Sequence, residues 1–350
     1  MRETARRRAT IVDVARAAGV SPSAVSFAFN DPSQLHAATV ARIREIAGEL
    51  GYAANPHARA LLSRRTGVIG VLVPQRLASV FDNPFFAAFF AGAGQALDAH
   101  GVALLVVSPL DGSLADAFAR SPVDGFVIVG LNEDHHEVAP LRKRRVPFVV
   151  VDGDAREVPS VNIDDEVGAH AAVAELTGRG HRDLLFLSFE TPIAHLDDPH
   201  YGVGGRRLAG YRRAMAEAGL PWRPDRLLPC VASIDGGASA FARAWDLGAR
   251  PTAVVAVSDA MALGAIREAG ARGLRVPADL EVIGFDDVPI ASLARPALST
   301  VHQPIIEKGR AAAELLFDHI SDATVTTRIV LPSELVLRDT TRRREEPQGT

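Results

Sequence analysis

Cysteine is almost missing from this chain: Cys230 stands alone among 350 residues. One thiol excludes an internal disulfide framework and fits a reducing compartment. Its reading as a small buried hydrophobe outweighs that of a nucleophile, because no nearby histidine-bearing motif supports catalysis. Long apolar runs are missing too. None reaches the roughly 18 residues needed to cross a bilayer, so no membrane contact is expected. The opening MRETARRRAT is basic but has no apolar stretch after it, which reads against a secretory signal. Catalytic signatures are equally scarce. There is no phosphate loop, nucleophile elbow or kinase set, and Gly92-Ala93-Gly94 lacks the third glycine of a dinucleotide fingerprint. His135-His136 has no partner at metal-ligand spacing, and the run 195–200 reads as a solvated loop at a cleft edge. No cofactor and no metal are expected, and the chain does not read as an enzyme.

What is present is 47% hydrophobic and 23% charged, a globular balance in a chain long for a single core. The net charge of −4 hides an asymmetry. Residues 1–65 carry ten arginines against five acids, a net +5, which leaves −9 on the rest. A basic N-terminal segment on an acidic body suits phosphate attraction at one end.

The most specific pattern is TIVDVARAAGVSPSAVSFAFN at 10–30. Thr10 is placed to cap a helix, with Asp13 near its positive end. Ile11, Val14 and Ala15 share one face. Gly19 stops that helix, and Ser21 followed by Pro22 starts the next. Small residues at Ala15, Ala17, Ala18 and Gly19 allow close approach. Two short helices around a tight turn make either a plain helical hairpin or a helix-turn-helix, whose second helix, 22–30, enters a DNA major groove. Asp31-Pro32-Ser33 breaks the chain. A third helix over 37–50, with Val40, Ile43, Ala47 and Leu50 as its apolar stripe, closes a three-helix head. Residues 55–62 form a short helical candidate, marginal in isolation, ahead of a linker.

From Val68 the pattern changes to short apolar runs at 68–73, 102–107, 126–129 and 148–151, separated by helical stretches such as 84–100. These predict buried parallel strands and one doubly wound α/β lobe. A second series of the same type begins after Asn162. The stretch 298–337 is too short for a third domain and is expected to cross back and add elements to both lobes. The expected fold class is α/β with an all-α head. Two such lobes joined by crossovers place a ligand cleft at the strand C-termini.

Taken with the run GYAANPHARALL at 51–62, this order of segments resembles the LacI/PurR-type transcriptional regulators along nearly the whole chain, and the body is similar to periplasmic sugar-binding proteins. The resemblance divides the chain into a DNA-binding head (1–54), a hinge helix and linker (55–66), an effector-binding and dimerisation body (67–342) and a disordered tail (343–350). Within the body it gives a first lobe of 67–162 with 292–321 and a second of 163–291 with 322–342. It implies a cytoplasmic bacterial regulator, usually a repressor relieved by ligand. Such a protein binds a pseudo-palindromic operator as a homodimer and takes a sugar or sugar derivative in the cleft.

Base-edge contacts then fall to Pro22, Ser23 and Phe27, with Gln34 a further candidate. Phe27 stands where arginine is commonest, and neither proline nor phenylalanine forms bidentate hydrogen bonds to a base. Readout therefore leans on Ser23 and on Phe27 against a thymine methyl. Thr10, Ser21, Ser26 and Asn30 are suited to phosphate contacts, and His36 replaces the usual serine or threonine cap of the third helix. In the hinge, Leu61 matches the residue that wedges into the minor groove, with Asn55, Ala58 and Arg59 beside it. Effector candidates are Asn83, Phe85 or Phe86, Asp152, Arg207, Ser258 and Asp286. Two acids and an arginine around aromatic rings suit a neutral polyol such as a sugar, with nucleobase-like ligands the alternative. A solute-binding protein is disfavoured by the head, and a sugar-transforming enzyme by the lack of a positioned acid/base pair.

Overall fold

The computed structural model describes residues 9–52, 65–109, 113–190 and 202–342. The chain separates into two units, Met1–Gly67 and Val68–Thr350. The hinge candidates Asn55, Ala58, Arg59 and Leu61, the run 195–200 and the tail 343–350 lie outside the described residues.

The first unit contains α1 (Ile11–Ala18), α2 (Pro22–Asn30) and α3 (Ala37–Glu49). A capping box starts α1: Thr10 Oγ1 accepts from the Asp13 amide while the Asp13 carboxylate accepts from the Thr10 amide. Gly19, at φ 63°, ends it in the left-handed region that disfavours a side chain. Ser21 Oγ accepts from the Ala24 amide at 3.1 Å and Pro22 takes the first turn of α2. Val14, Ala15, Ala18, Val25, Ala28, Val40, Ile43 and Ala47 form the buried core between the three helices. Leu50 departs from the predicted stripe. It falls just past the end of α3 and is 43% exposed, whereas Tyr52 packs on this core, edge-on to Phe29.

The second unit is two α/β lobes. The first is built from β1 (Val68–Leu72), α4 (Leu77–Asp82), α5 (Pro84–His100), β2 (Ala103–Val107), α6 (Leu114–Ala119), β3 (Gly125–Val129), α7 (Ala139–Arg144), β4 (Phe148–Val151) and β5 (Ser160–Ile163). The second holds α8 (Asp165–Gly178), β6 (Leu184–Phe189), α9 (Gly202–Glu217), β7 (Leu227–Cys230), α10 (Ile234–Asp246), β8 (Ala253–Ala256), α11 (Asp259–Ala271), β9 (Glu281–Asp286), α12 (Pro289–Leu293) and β10 (Ser299–His302). The chain then continues through α13 (Ile305–Ser321), β11 (Arg328–Leu331) and β12 (Glu334–Val336).

The first sheet runs β11-β5-β4-β3-β1-β2, every pair parallel. The second runs β12-β10-β9-β8-β6-β7, parallel except for β12 against β10. The central strands are buried almost throughout and are rich in Val, Ile, Leu, Ala and Phe, as parallel strands between helical layers must be. The lobe boundaries at the last crossovers differ from those expected. Strand β10 lies inside 292–321 yet pairs with β9 in the second sheet, and β11 lies inside 322–342 yet pairs with β5 in the first. Each lobe is completed by a strand the sequence assigns to the other, because short strands are allotted by distant partners rather than by their own pattern.

Helix α13 returns to the first lobe and packs closely on α5 at two glycines, Gly92 on α5 and Gly309 on α13. A Cβ on Gly92 would strike the Ile306 carbonyl, and one on Gly309 the Phe89 carbonyl. That close crossing sets the position of the first turn of α13, which carries Lys308.

Candidate functional site

Residues of the head separate by exposure. Pro22, Ser23 and Phe27 are exposed along one side of α2, Phe27 to 44% although it is a large apolar ring. Val25 and Ala28 on the opposite side are buried. Asn30 is exposed and donates to Ser26 Oγ at 3.2 Å. Gln34 ends the single helical turn Pro32–Gln34 and is exposed. Hydrogen bonds from the Ser33 and Gln34 side chains hold the Asp31 carboxyl below its ordinary range. Thr10 Oγ1 donates to Asp13 at 2.6 Å, so its hydroxyl hydrogen is spent within the head. His36 stands at the start of α3 without capping it through its side chain.

In the body, a polar cluster links the C-terminal ends of strands from both lobes. Asp152 follows β4 and Asp286 ends β9. Both have left-handed backbones, φ 56° and 115°, as does Asp287 at 57°, and such positions concentrate where a site demands them. Lys308 Nζ donates to Asp152 Oδ1 and to Gln303 Oε1, each at 2.5 Å, and Gln303 Nε2 donates to Asp286 Oδ1 at 2.5 Å. The chain Asp152–Lys308–Gln303–Asp286 thus crosses from one lobe to the other through the β10–α13 connection. All four residues are buried, and Lys308 is fully so. On the second lobe, Arg207 Nε donates to Asp165 Oδ1 at 2.9 Å, its Nη1 donates to the Val257 carbonyl, and its guanidinium stacks 3.5 Å over the Phe285 ring. The same Nη1 lies 3.6 Å from Asp286.

These contacts set the charges. Burial alone would raise the Asp165 carboxyl, but Arg207, Arg206 and Lys308 overcome it and hold Asp165 below its ordinary range. For Asp286 burial prevails over the pull of Arg207 and the Gln303 hydrogen bond, and its pKa is pushed up to about 6. Burial also pushes Asp259 up, and it is committed to the fold: its carboxyl oxygens accept from Val288 N at 2.9 Å and Thr300 Oγ1 at 2.5 Å.

Other candidates have structural duties. Ser258 is fully buried and its Oγ caps α11. Asn83 caps α5 by accepting from the Phe85 amide at 3.1 Å. Phe85 and Phe86 both belong to the first lobe's core. Only Phe85 meets the polar cluster, its ring centre 5.7 Å from Lys308 Nζ, whereas Phe86 packs on Phe90. The structure therefore brings Asp152, Arg207 and Asp286 together with Phe85 beside them. It adds four residues that sequence reasoning missed: Asp165, Arg206, Gln303 and Lys308. A charged residue inside an otherwise amphipathic helix reads as a solvated position, so nothing local marked Lys308.

A helix-turn-helix head followed by a two-lobed body with a buried polar cluster at its strand ends is the layout of a ligand-responsive DNA-binding regulator. Comparison with known proteins agrees. Residues 10–55 match the model for bacterial regulatory proteins of the lacI family, and residues 173–341 match a periplasmic binding protein-like domain. Catabolite control protein A of Priestia megaterium is 32% identical over 95% of this chain and 99% of its own length. Among solved structures, the lac repressor dimer bound to operator and the anti-inducer ONPF superposes with a TM-score of 0.76 at 27% identity, over 96% of this chain and 99% of that one. The complex of the transcriptional regulator CelR with cellobiose gives 0.69 at 30% identity, over 95% and 100%. The chain belongs to the LacI family of bacterial transcriptional regulators, and it is a regulator rather than an enzyme.

Proposed function

We propose that this protein represses transcription from the chromosome in the cytoplasm, binding a pseudo-palindromic operator as a homodimer and releasing it when a sugar-like ligand occupies the interlobe site. The observation that carries this reading is the buried chain Asp152–Lys308–Gln303–Asp286, which joins the two lobes at the strand ends where α/β proteins bind ligands. Relatives of the same layout are known on operator DNA and with cellobiose. In the head, Ser23, Phe27 and Gln34 are the base-facing side chains, and Pro22 fixes the first turn of α2 against the groove wall. Ser21, Ser26, Asn30 and the Thr10 end of α1 meet phosphates. Residues 55–61 form the hinge, with Leu61 as the minor-groove wedge and Asn55, Ala58 and Arg59 around it.

A site this enclosed admits a ligand only when the lobes part. Ligand then shifts the balance between lobe arrangements, and with it the pairing of the two heads. Ser258 and Asn83 support the site by fixing the helices that frame it, while Phe85 supplies a ring face. The test is selection of preferred DNA from a random pool, followed by anisotropy of the selected duplex with and without candidate sugars. A selected sequence with two inverted half-sites is the expected result. A pool that yields no enriched site would refute the regulator reading.

A further inference from the structure

The interlobe site holds three cations, Arg206, Arg207 and Lys308, beside the carboxylates of Asp152, Asp154, Asp165 and Asp286, and their hydrogen bonding is uneven. Arg206 and Arg207, adjacent on α9, both hydrogen-bond to Asp165, and Arg207 Nη1 also lies 3.6 Å from Asp286. Arg206 makes one hydrogen bond, from Nε to Asp165 Oδ2 at 3.0 Å. Its Nη1 and Nη2 are buried and hydrogen-bond to none of the described residues. Nη2 lies 2.9 Å from Asp165 Oδ2, an electrostatic contact without hydrogen-bonding geometry, and Nη1 is 3.9 Å from Asp154. Buried guanidinium nitrogens left in this way cost free energy unless a ligand supplies acceptors.

At the other end of the cluster, Lys308 spends Asp152. A fully buried ammonium paired with a carboxylate is no more stabilising than a well-packed apolar pair of the same volume, so stability does not explain a lysine at this position. Its effect on the site is chemical. Asp152 and Asp286 are the carboxylates that a neutral polyol's hydroxyls would address. Asp152 is neutralised by Lys308, and Asp286 already accepts from Gln303. One oxygen of each carboxylate, Asp152 Oδ1 and Asp286 Oδ1, is thus engaged within the protein, while Arg206 Nη1 and Nη2 are left without hydrogen-bond acceptors among the described residues. Asn162 Oδ1, Ser188 Oγ and the Tyr211 hydroxyl are also buried without hydrogen-bond partners among the described residues.

Resting on the reading of this cleft as the effector site, we propose that the effector is a polyol carrying an anionic oxygen group, a carboxylate or a phosphate. Arg206 receives that group, and Lys308 is a specificity-determining residue that removes the repulsion of Asp152.

The test is calorimetric titration of the full-length protein with matched pairs: glucose against glucuronate, galactose against galacturonate, and glucose against glucose 6-phosphate. At least one acid should bind about tenfold or more tighter than its neutral partner, and the pair that does so separates carboxylate from phosphate. Arg206→Gln should bring that ratio to about one, while Arg206→Lys restores part of it. Lys308→Met should lower the ratio by weakening the acid and strengthening the neutral sugar, a change in preference that loss of packing alone does not produce. If Lys308→Met fails to fold, the Arg206 pair still decides. Neutral sugars binding as tightly as their acids, no acid binding tighter in any pair, or a ratio untouched by Arg206→Gln would each overturn the proposal. None of these outcomes touches operator selection, so failure here leaves the regulator reading standing, and failure of DNA selection leaves this titration interpretable.

Discussion

Asp286 is one carboxyl asked to satisfy several neighbours. Burial penalises its charged form more than Arg207 and Gln303 reward it, so its folded pKa of about 6 lies above the ordinary 3.8. Between about pH 4 and pH 6 the folded chain therefore holds a proton here that the unfolded chain has released. Stability from this group falls as pH rises through that window and is flat above it. Asp286→Asn removes the titration while keeping a side-chain oxygen for Gln303. The variant should gain on the parent as pH rises from about 4 to about 6, seen as a growing difference in melting temperature. A constant difference across that range would mean that the carboxyl is ionised throughout. Asp165 behaves oppositely, since its guanidinium neighbours keep it charged, and Asp165→Asn should lose most against the parent at neutral pH and least in acid.

Helices depend on details of a different kind. The crossing of α5 and α13 has no room for a β-carbon at Gly309, which lies beside Lys308. Gly309→Ala should cost about 1–3 kcal/mol through overpacking, read as a lower melting temperature. It should also displace Lys308 from Asp152, so ligand binding weakens beyond what the stability loss explains. In the head, Ser21→Ala removes the cap of α2 at a cost of about 1 kcal/mol. Amide exchange should quicken over residues 14–47 while the sheets of the body stay protected. Unchanged exchange in the head would show that Pro22 alone starts the helix.

These elements were not equally legible in the sequence. The head was open to reading because its punctuation is local: Thr10, Gly19 and Ser21-Pro22 each act within one turn of their own position. Helix α5 and the strands β1 to β4 were legible for the same reason, as apolar runs bounded by turn residues. Allocation of β10 and β11 was not, since a four-residue strand is assigned by its neighbour in the sheet. Nor was the full site. Asp152, Arg207 and Asp286 follow strands or sit in a motif, whereas Lys308 meets Asp152 from 156 positions away. Only the fold reveals that pairing.

At the scale of the molecule, charge and symmetry decide how DNA is held. The first 65 residues carry a net +5 and the remainder −9, so attraction to phosphate is confined to one end and the body repels the duplex. Binding should weaken by about a hundredfold or more when salt rises from about 50 to about 200 mM. Such attraction carries no sequence information, and the exposed side of α2 adds little hydrogen bonding, with Pro22 and Phe27 flanking Ser23. One head on one half-site should therefore bind scarcely better than on random DNA. For the proposed homodimer, specificity should come from two heads held at a fixed spacing and from deformation of the operator between them. Inserting about five base pairs at the operator centre turns one half-site by about half a helical turn, beyond the reach of a paired head. Affinity for that duplex should drop to the random-DNA level in an anisotropy titration, even though both half-sites are intact. If the spaced operator still binds tightly, each head reads its half-site independently and the dimer geometry is not the source of specificity.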